Sequence, residues 1–370
     1  MKVPHVNAIV DGFAYSNSLE PLEFVFFLTH FHSDHYKGIT PSWQSGRIYA
    51  SRQTAKLLHS EFPQIEIYSL ELDVPHWIVL NPRTGQGINV TLIDANHCIG
   101  SVMFLFQSLE SGNVLFTGDF RFLPEMLQHP ALRDSTGKLI EIEHLYLDNT
   151  FAKPEFQFPT QEVCKDMLIR AIEENPHFDV FIKSECFGRE NLLIELAERF
   201  NTVIVVSEKM YKRIKLLKRN AERFSVNESD GFIRVVNREV FRTLYERNLN
   251  QIKTIGICLT GWCKTFSKTE DYGVIRYKIP YSGHSNCKEI NDFVKEINPG
   301  KITTINSCSK QKEVDYINLD FSYKSVPINK IERKAATEVV GELPIKRKSP
   351  MPAGGKLKKV KPKTLGSKII

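Results

Sequence analysis

Apolar residues in the first 125 positions fall in short runs broken by turn residues: "VNAIV", "FVFFL", "RIYAS", "IEIYSL", "WIVL", "INVTLIDA", "SVMFLF" and "NVLFTGDF". Runs of this length, rich in β-branched and aromatic residues, read as strands, and their density predicts a sandwich or layered sheet. One helix is expected among them, over residues 51 to 60. After Phe151 the period changes. Residues 160–175 and 188–200 repeat apolar positions at helical spacing, and strand-like "FDVFIKS" and "TVIVVS" alternate with them, as in an α/β unit. Strand-like text returns in "YGVIRYKIPYS" and "KITTI", with a helix expected over residues 286–297 between them. The simplest organisation is an α/β domain begun over 1–155, interrupted over 156–275, completed over 276–329, and followed by a tail over 330–370.

The chain has 370 residues, 42% apolar and 25% charged, which suits a globular protein able to bury a large core. Its longest apolar runs are too short to cross a bilayer, and the first residues lack the order of a secretory signal, so an intracellular location is expected. Seven cysteines, an odd number without paired CxxC elements, read as reduced thiols rather than a disulfide framework. Charge is unevenly placed. Residues 330–370 hold twelve Lys/Arg against three Asp/Glu, a balance of +9 that leaves the rest near −3 from a total of +6. With its Pro, Gly and few large apolar residues, this segment is expected to be a disordered basic tail. Its clusters at 346–348 and 356–363 suit nuclear localisation or contact with nucleic acid, and equally a merely solubilising tail.

The densest chemistry lies in "FVFFLTHFHSDHYKGI", where His30, His32, Asp34 and His35 follow an apolar run. Imidazole and carboxylate are the preferred ligands of zinc, and a catalytic site needs several of them converging with one position left open. If the strand extends to this point, His30 and His32, at i and i+2, share a face and Asp34 and His35 occupy the following turn. "VTLIDANHCIG" brings His97 to another strand end, and "NVLFTGDFR" brings Asp119, with Gly118 permitting close backbone approach. A carboxylate between two cations can bridge them, which makes Asp119 the bridging candidate.

The order HxHxDH, strand-end His, GD strand end resembles the metallo-β-lactamase fold. "IVDGF" with Asp11, "LYLDNTF" with Asp148, "GRENLL", "TGW" and "IPYSGHSN" with His284 extend the resemblance to its β-CASP branch, and within it to the DNA cross-link repair nucleases, over residues 6–310. The resemblance implies an αββα sandwich with an inserted α/β β-CASP domain. It places His30, His32, His97 and Asp119 in a main zinc site and Asp34 and His35, sharing Asp119, in a second, weaker one. Asp11 is implied to orient a ligand, and Asp148 and His284 to stand beside the metals. "KITTINSCS" lacks the further His of RNA-processing relatives, with Ile305 in its place, which favours DNA over RNA. The sequence departs from the family at Gly283, where Glu is common, at Ile99, where Pro is, and at Arg189, where Lys is frequent.

The implied chemistry is phosphodiester hydrolysis by zinc-activated water, with Asp34 orienting it and His284 protonating the leaving oxygen or holding the scissile phosphate. Lys183 and Ser184 at a strand end, and Gly188 and Arg189 at a helix start, match the family's terminal-phosphate pocket, with Thr260, Trp262 and Lys264 as further walls. These expectations describe a nuclear, zinc-dependent 5′-to-3′ exonuclease preferring a 5′-phosphate on single- or double-stranded DNA. The alternatives are a structure-specific DNA endonuclease and an RNA-processing endonuclease. A thioester or β-lactam hydrolase leaves the insertion and "YSGHSN" unexplained, and a non-catalytic scaffold has no reason to keep every ligand.

Overall fold

The computed structural model describes residues 1–14, 24–81, 83–184, 187–249 and 253–306; the basic tail lies outside them. Strands β1 (Ala8–Val10), β2 (Val25–Leu28), β3 (Ile48–Ser51) and β4 (Ile67–Leu70) form a four-stranded parallel sheet in that order, with helix α1 (Arg52–Glu61) after β3. Ser51 caps α1, its hydroxyl accepting from the Thr54 N–H at 3.3 Å. Next come β5 (Pro75–Asn81), β6 (Gln86–Asp94), β7 (Val102–Ser108), β8 (Gly112–Phe116) and β9 (His144–Leu147). Helix α2 (Gln161–Glu173) then leads into β10 (Asp179–Lys183), α3 (Glu190–Arg199), β11 (Ile204–Val205), α4 (Glu208–Leu217), β12 (Phe224–Ser225) and β13 (Ile233–Val236). Helices α5 (Arg238–Arg242) and α6 (Leu244–Leu249), strands β14 (Thr254–Leu259), β15 (Ser267–Asp271) and β16 (Val274–Ile279), helix α7 (Cys287–Ile297) and strand β17 (Lys301–Thr304) complete the order.

A six-stranded sheet runs β17-β9-β8-β7-β6-β5, antiparallel from β5 to β8 and parallel from β8 to β17. Strand alternation builds the layers. Val25 and Phe27 of β2 face inward to meet Val102, Phe104 and Phe106 of β7, with Val114 and Phe116 of β8 and Tyr146 of β9 in the same core. The opposite face of the six-stranded sheet, Met103, Leu105, Leu115, Leu145 and Leu147, is covered by Ile290, Phe293, Val294 and Ile297 of α7. The outer face of the four-stranded sheet, Phe26, Leu28, Ile48 and Ala50, packs with Leu57 and Leu58 of α1. This is the αββα sandwich. A seven-stranded sheet, β12-β11-β13-β10-β14-β16-β15, is parallel apart from the β15–β16 pair and lies between β9 and α7 in sequence. Its core, with Leu168, Ile182, Leu193 and Ile257, is continuous with that of α1 and β2.

Candidate metal centre

Strand β2 stops at Leu28, so His30 and His32 stand in a loop, not on the strand end that i, i+2 spacing suggests. The cause lies beside it. Asp11, in the left-handed region at φ 46°, ends β1, donates its N–H to the Phe27 carbonyl, and accepts the Thr29 N–H on Oδ1 at 2.9 Å. Asp and Asn tolerate this backbone better than other non-glycine residues. His97 follows β6 by three residues and Asp119 follows β8 by three, reached through Gly118 at φ +54°. A Cβ at Gly118 meets Thr29 Cβ at 2.8 Å.

Outward hydrogen bonds set the tautomers. His97 Nδ1–H donates to the Gly283 carbonyl at 2.9 Å, and His32 Nε2–H to the Phe187 carbonyl at 2.6 Å. The Thr29 hydroxyl gives its proton to Asp11 Oδ2 at 2.6 Å and accepts from His30 Nδ1–H at 3.0 Å. Each inner nitrogen is thereby left with a bare lone pair. His32 Nδ1 lies 2.9 Å from His30 Nε2 and 3.2 Å from His97 Nε2, while Asp119 Oδ2 lies 3.6 Å from both His30 Nε2 and His97 Nε2. Three lone pairs and a carboxylate crowded together repel unless a cation sits among them. Asp119 Oδ1, buried with no hydrogen-bond partner, makes the same demand. The donor set of three imidazoles and one carboxylate fits a divalent cation, with ligand atoms within 4.8 Å of one another.

Electrostatics agree. Burial, then the neighbouring His35, hold His30 well below its usual value; burial lowers His32 as well, and takes His97 down to about 3 against the pull of Asp119. These three stay neutral, the state that metal ligation would require. His35 is opposite in sense: burial pulls it down, but the Asp11 and Asp119 carboxylates outweigh that and hold it well above. Its Nδ1 is 2.7 Å from Asp11 Oδ2 and its Nε2 3.3 Å from Asp119 Oδ2. Asp34 is set apart, its side chain 78% exposed and 3.8 Å from His35 Nε2. A second converging group consists of Asp119, Asp148 and His284 instead.

In that group His284 Nδ1 is 2.7 Å from Asp148 Oδ2. Asp148 is locked: its Oδ1 accepts from the Thr150 N–H and hydroxyl and from Asn306 Nδ2, at 3.0, 2.6 and 3.1 Å. Burial lowers the His284 imidazole, but Asp148 more than compensates and brings it up to about 9. Its Nε2 faces Asp119 Oδ2 at 3.8 Å.

Beside His97 opens a cleft of about 320 Å³, lined among others by Gly188, Arg189, Lys165, Arg219 and Tyr281. Lys183, Ser184, Thr260, Trp262 and Lys264 are outside its lining. Arg189 does not present an open fork: Nη1 donates to the Lys183 carbonyl at 3.2 Å and Nη2 to the Leu259 carbonyl at 3.0 Å, tying the ends of β10 and β14. The start of α3 is also engaged, because the buried Glu190 carboxylate accepts the Gly188 N–H at 2.9 and 3.0 Å. Thr260 serves the turn after β14, its hydroxyl accepting the Trp262 N–H at 3.2 Å. Sequence reasoning passed over Lys165, Arg219, Thr29 and Asn306. Thr29 directly precedes the histidine cluster and Asn306 directly follows Ile305, so proximity to those motifs was the available signal.

Gly283 closes on the centre: a Cβ added there would lie 3.0 Å from the His97 carbonyl oxygen and 3.1 Å from His97 Nδ1.

Residues 228–309 match the family model described as DNA repair metallo-beta-lactamase. The chain is 35% identical over 284 residues to "5′ exonuclease Apollo" of Danio rerio, covering 76% of this chain and 48% of that protein. It is 31% identical to "DNA cross-link repair protein SNM1" of Arabidopsis thaliana, covering 83% and 65%. It thus spans about half to two thirds of the length of these relatives. A crystal structure of a protein of unknown function from Enterococcus faecalis V583 shares the fold, with a TM-score of 0.51 and 15% identity over 76% of this chain and 75% of that one. Motif order, sandwich, the His/Asp cluster and these relatives agree in likening the chain to the metallo-β-lactamase/β-CASP DNA cross-link repair proteins.

Proposed function

We propose that this protein is a metal-dependent DNA nuclease that degrades strands from a 5′-phosphorylated end, in repair of interstrand cross-links or strand breaks. The observation that carries the reading is the convergence of three outward-fixed imidazoles and the orphaned Asp119 oxygen beside a cleft. Zinc in that tight site, with a weaker second ion, would supply Lewis acidity toward phosphoryl oxygens and water of lowered pKa. His30, His32, His97 and Asp119 would hold the first ion, and Asp34 and His35 would join Asp119 at the second. His284, cationic at neutral pH with its pKa near 9, attracts the phosphodiester and holds a proton for the leaving oxygen. Asp148 fixes its orientation through Nδ1.

The 5′-end preference draws support from the relative named 5′ exonuclease and from the space beside His97; Lys165, Arg189 and Arg219 line that space, with Lys165 paired to Glu162 and Glu195 and with Asp94 and Glu190 on the same walls. Lys183 and Ser184 close the end of β10, and Arg189 acts by holding that end against β14. The divisions at residues 155, 275 and 329 belong to the same reading, with the seven-stranded sheet as the β-CASP insertion. The basic segment over 330–370 is proposed to direct the protein to the nucleus and add non-specific DNA affinity.

A time course on oligonucleotides labelled at the 5′ or 3′ end tests the central part. Stepwise shortening of 3′-labelled strands, faster with a 5′-phosphate than a 5′-hydroxyl, is expected. Internal cuts alone, shortening from the 3′ end, or cleavage of RNA in preference to DNA would contradict it.

A further inference from the structure

We propose that Trp262 is a stacking platform for a nucleobase of the substrate strand, one aromatic ring removed from His284; this rests on DNA being the substrate. The indole is 68% exposed. It nevertheless stands on a fixed base, since the Phe151 ring lies 4.9 Å away at 62° and the Phe156 ring 5.5 Å away at 89°. Phe151 is buried, and its ring reaches the His284 imidazole at 5.9 Å.

The turn carrying Trp262 is pressed onto the wall of the site. A Cβ at Gly261 meets the Phe151 ring at 2.7 Å and Ser282 Cβ at 3.0 Å, and Ser282 accepts the His284 N–H on its hydroxyl at 2.9 Å. A large aromatic held this firmly yet left in water presents a preorganised flat surface one ring away from His284. Every base has a π face, so stacking accepts any sequence and suits an enzyme that must degrade all of them. Lys153, Lys264 and Lys278 are exposed on the segments around it, Lys278 near enough to act on the Cys263 thiol. Charge on those segments favours the phosphates flanking a stacked base.

The test labels the full chain with 5-fluorotryptophan, which gives three fluorine signals for Trp43, Trp77 and Trp262, the last assigned as the signal lost in Trp262→Phe. In an Asp119→Asn background, a 5′-phosphorylated oligothymidylate is expected to shift the Trp262 signal, and strands with one abasic position near the 5′ end are expected not to. In the active protein, Trp262→Ala is expected to lose tenfold or more in kcat/KM on intact strands and little on the abasic strand, with Trp262→Phe recovering most of the loss. A Trp262 signal indifferent to DNA, or equal losses on intact and abasic strands, overturns the platform. Failure of the nuclease reading looks different, because the protein with Trp262 intact would then cleave no DNA.

Discussion

At the residue scale the centre works by pairs, each inward-facing atom aimed by an outward partner. Asp11 joins Thr29 and His35, and through Thr29 it fixes His30. Removing it frees two of the imidazoles to rotate, so Asp11→Ala is expected to weaken metal affinity about 10–100-fold while leaving every ligand in place; competition with a chromophoric chelator measures this. Asp119→Ala or His32→Ala is expected to abolish hydrolysis with only a small change in the unfolding midpoint of the metal-free protein. The convergence of His30, His32, His97 and Asp119 was legible in the sequence because His, Asp and Gly at these spacings have few other uses. Their aims were not, because two of the outer partners are the carbonyls of Phe187 and Gly283, and a carbonyl has no signature in the residue that bears it. Arg189 shows the same blindness: its type suggested a phosphate fork, and only the fold turns it toward carbonyls.

At the element scale, the short apolar runs of β1 to β3 and β7 to β9 were readable because these strands are covered by apolar layers on both faces. The end of β2 was not, since it depends on Asp11 taking the Thr29 N–H across 18 positions of sequence. Gly118 joins β8 to Asp119 in a conformation side chains rarely adopt, against Thr29; Gly118→Ala is expected to destabilise by about 1–3 kcal/mol and displace Asp119, read as lost metal binding. Where β9 meets β17, burial, with Lys301 adding, takes His144 down to about 4, and its Nε2 lies 2.8 Å from the Thr303 hydroxyl. A histidine held neutral in the fold is charged more readily when unfolded, so its contribution is present above pH 6.5 and lost as pH falls toward 4. His144→Gln is expected to lessen the fall in stability between those values, measured as urea midpoints across the range.

For the whole molecule, three apolar layers in the sandwich and the continuous core under the seven-stranded sheet hold the fold without the metal. A metal bound only by the folded state adds stability by mass action, about 2.7 kcal/mol at a free concentration one hundred times Kd. Chelation is therefore expected to lower the thermal midpoint without unfolding the protein at 25 °C, as circular dichroism reports. No helix among the described residues is long and apolar enough to cross a membrane. Deleting residues 331–370 is expected to weaken salt-sensitive DNA binding and nuclear import while sparing hydrolysis; unchanged import would remove the localisation proposal.

The most direct measurement is hydrolysis of a 5′-phosphorylated oligonucleotide by chelator-stripped protein as zinc is restored. The account predicts no cleavage when stripped, recovery saturating near one or two ions per chain, and no recovery in Asp119→Asn at any zinc concentration. Cleavage by the stripped protein, or recovery in Asp119→Asn equal to that of the unaltered chain, would contradict it.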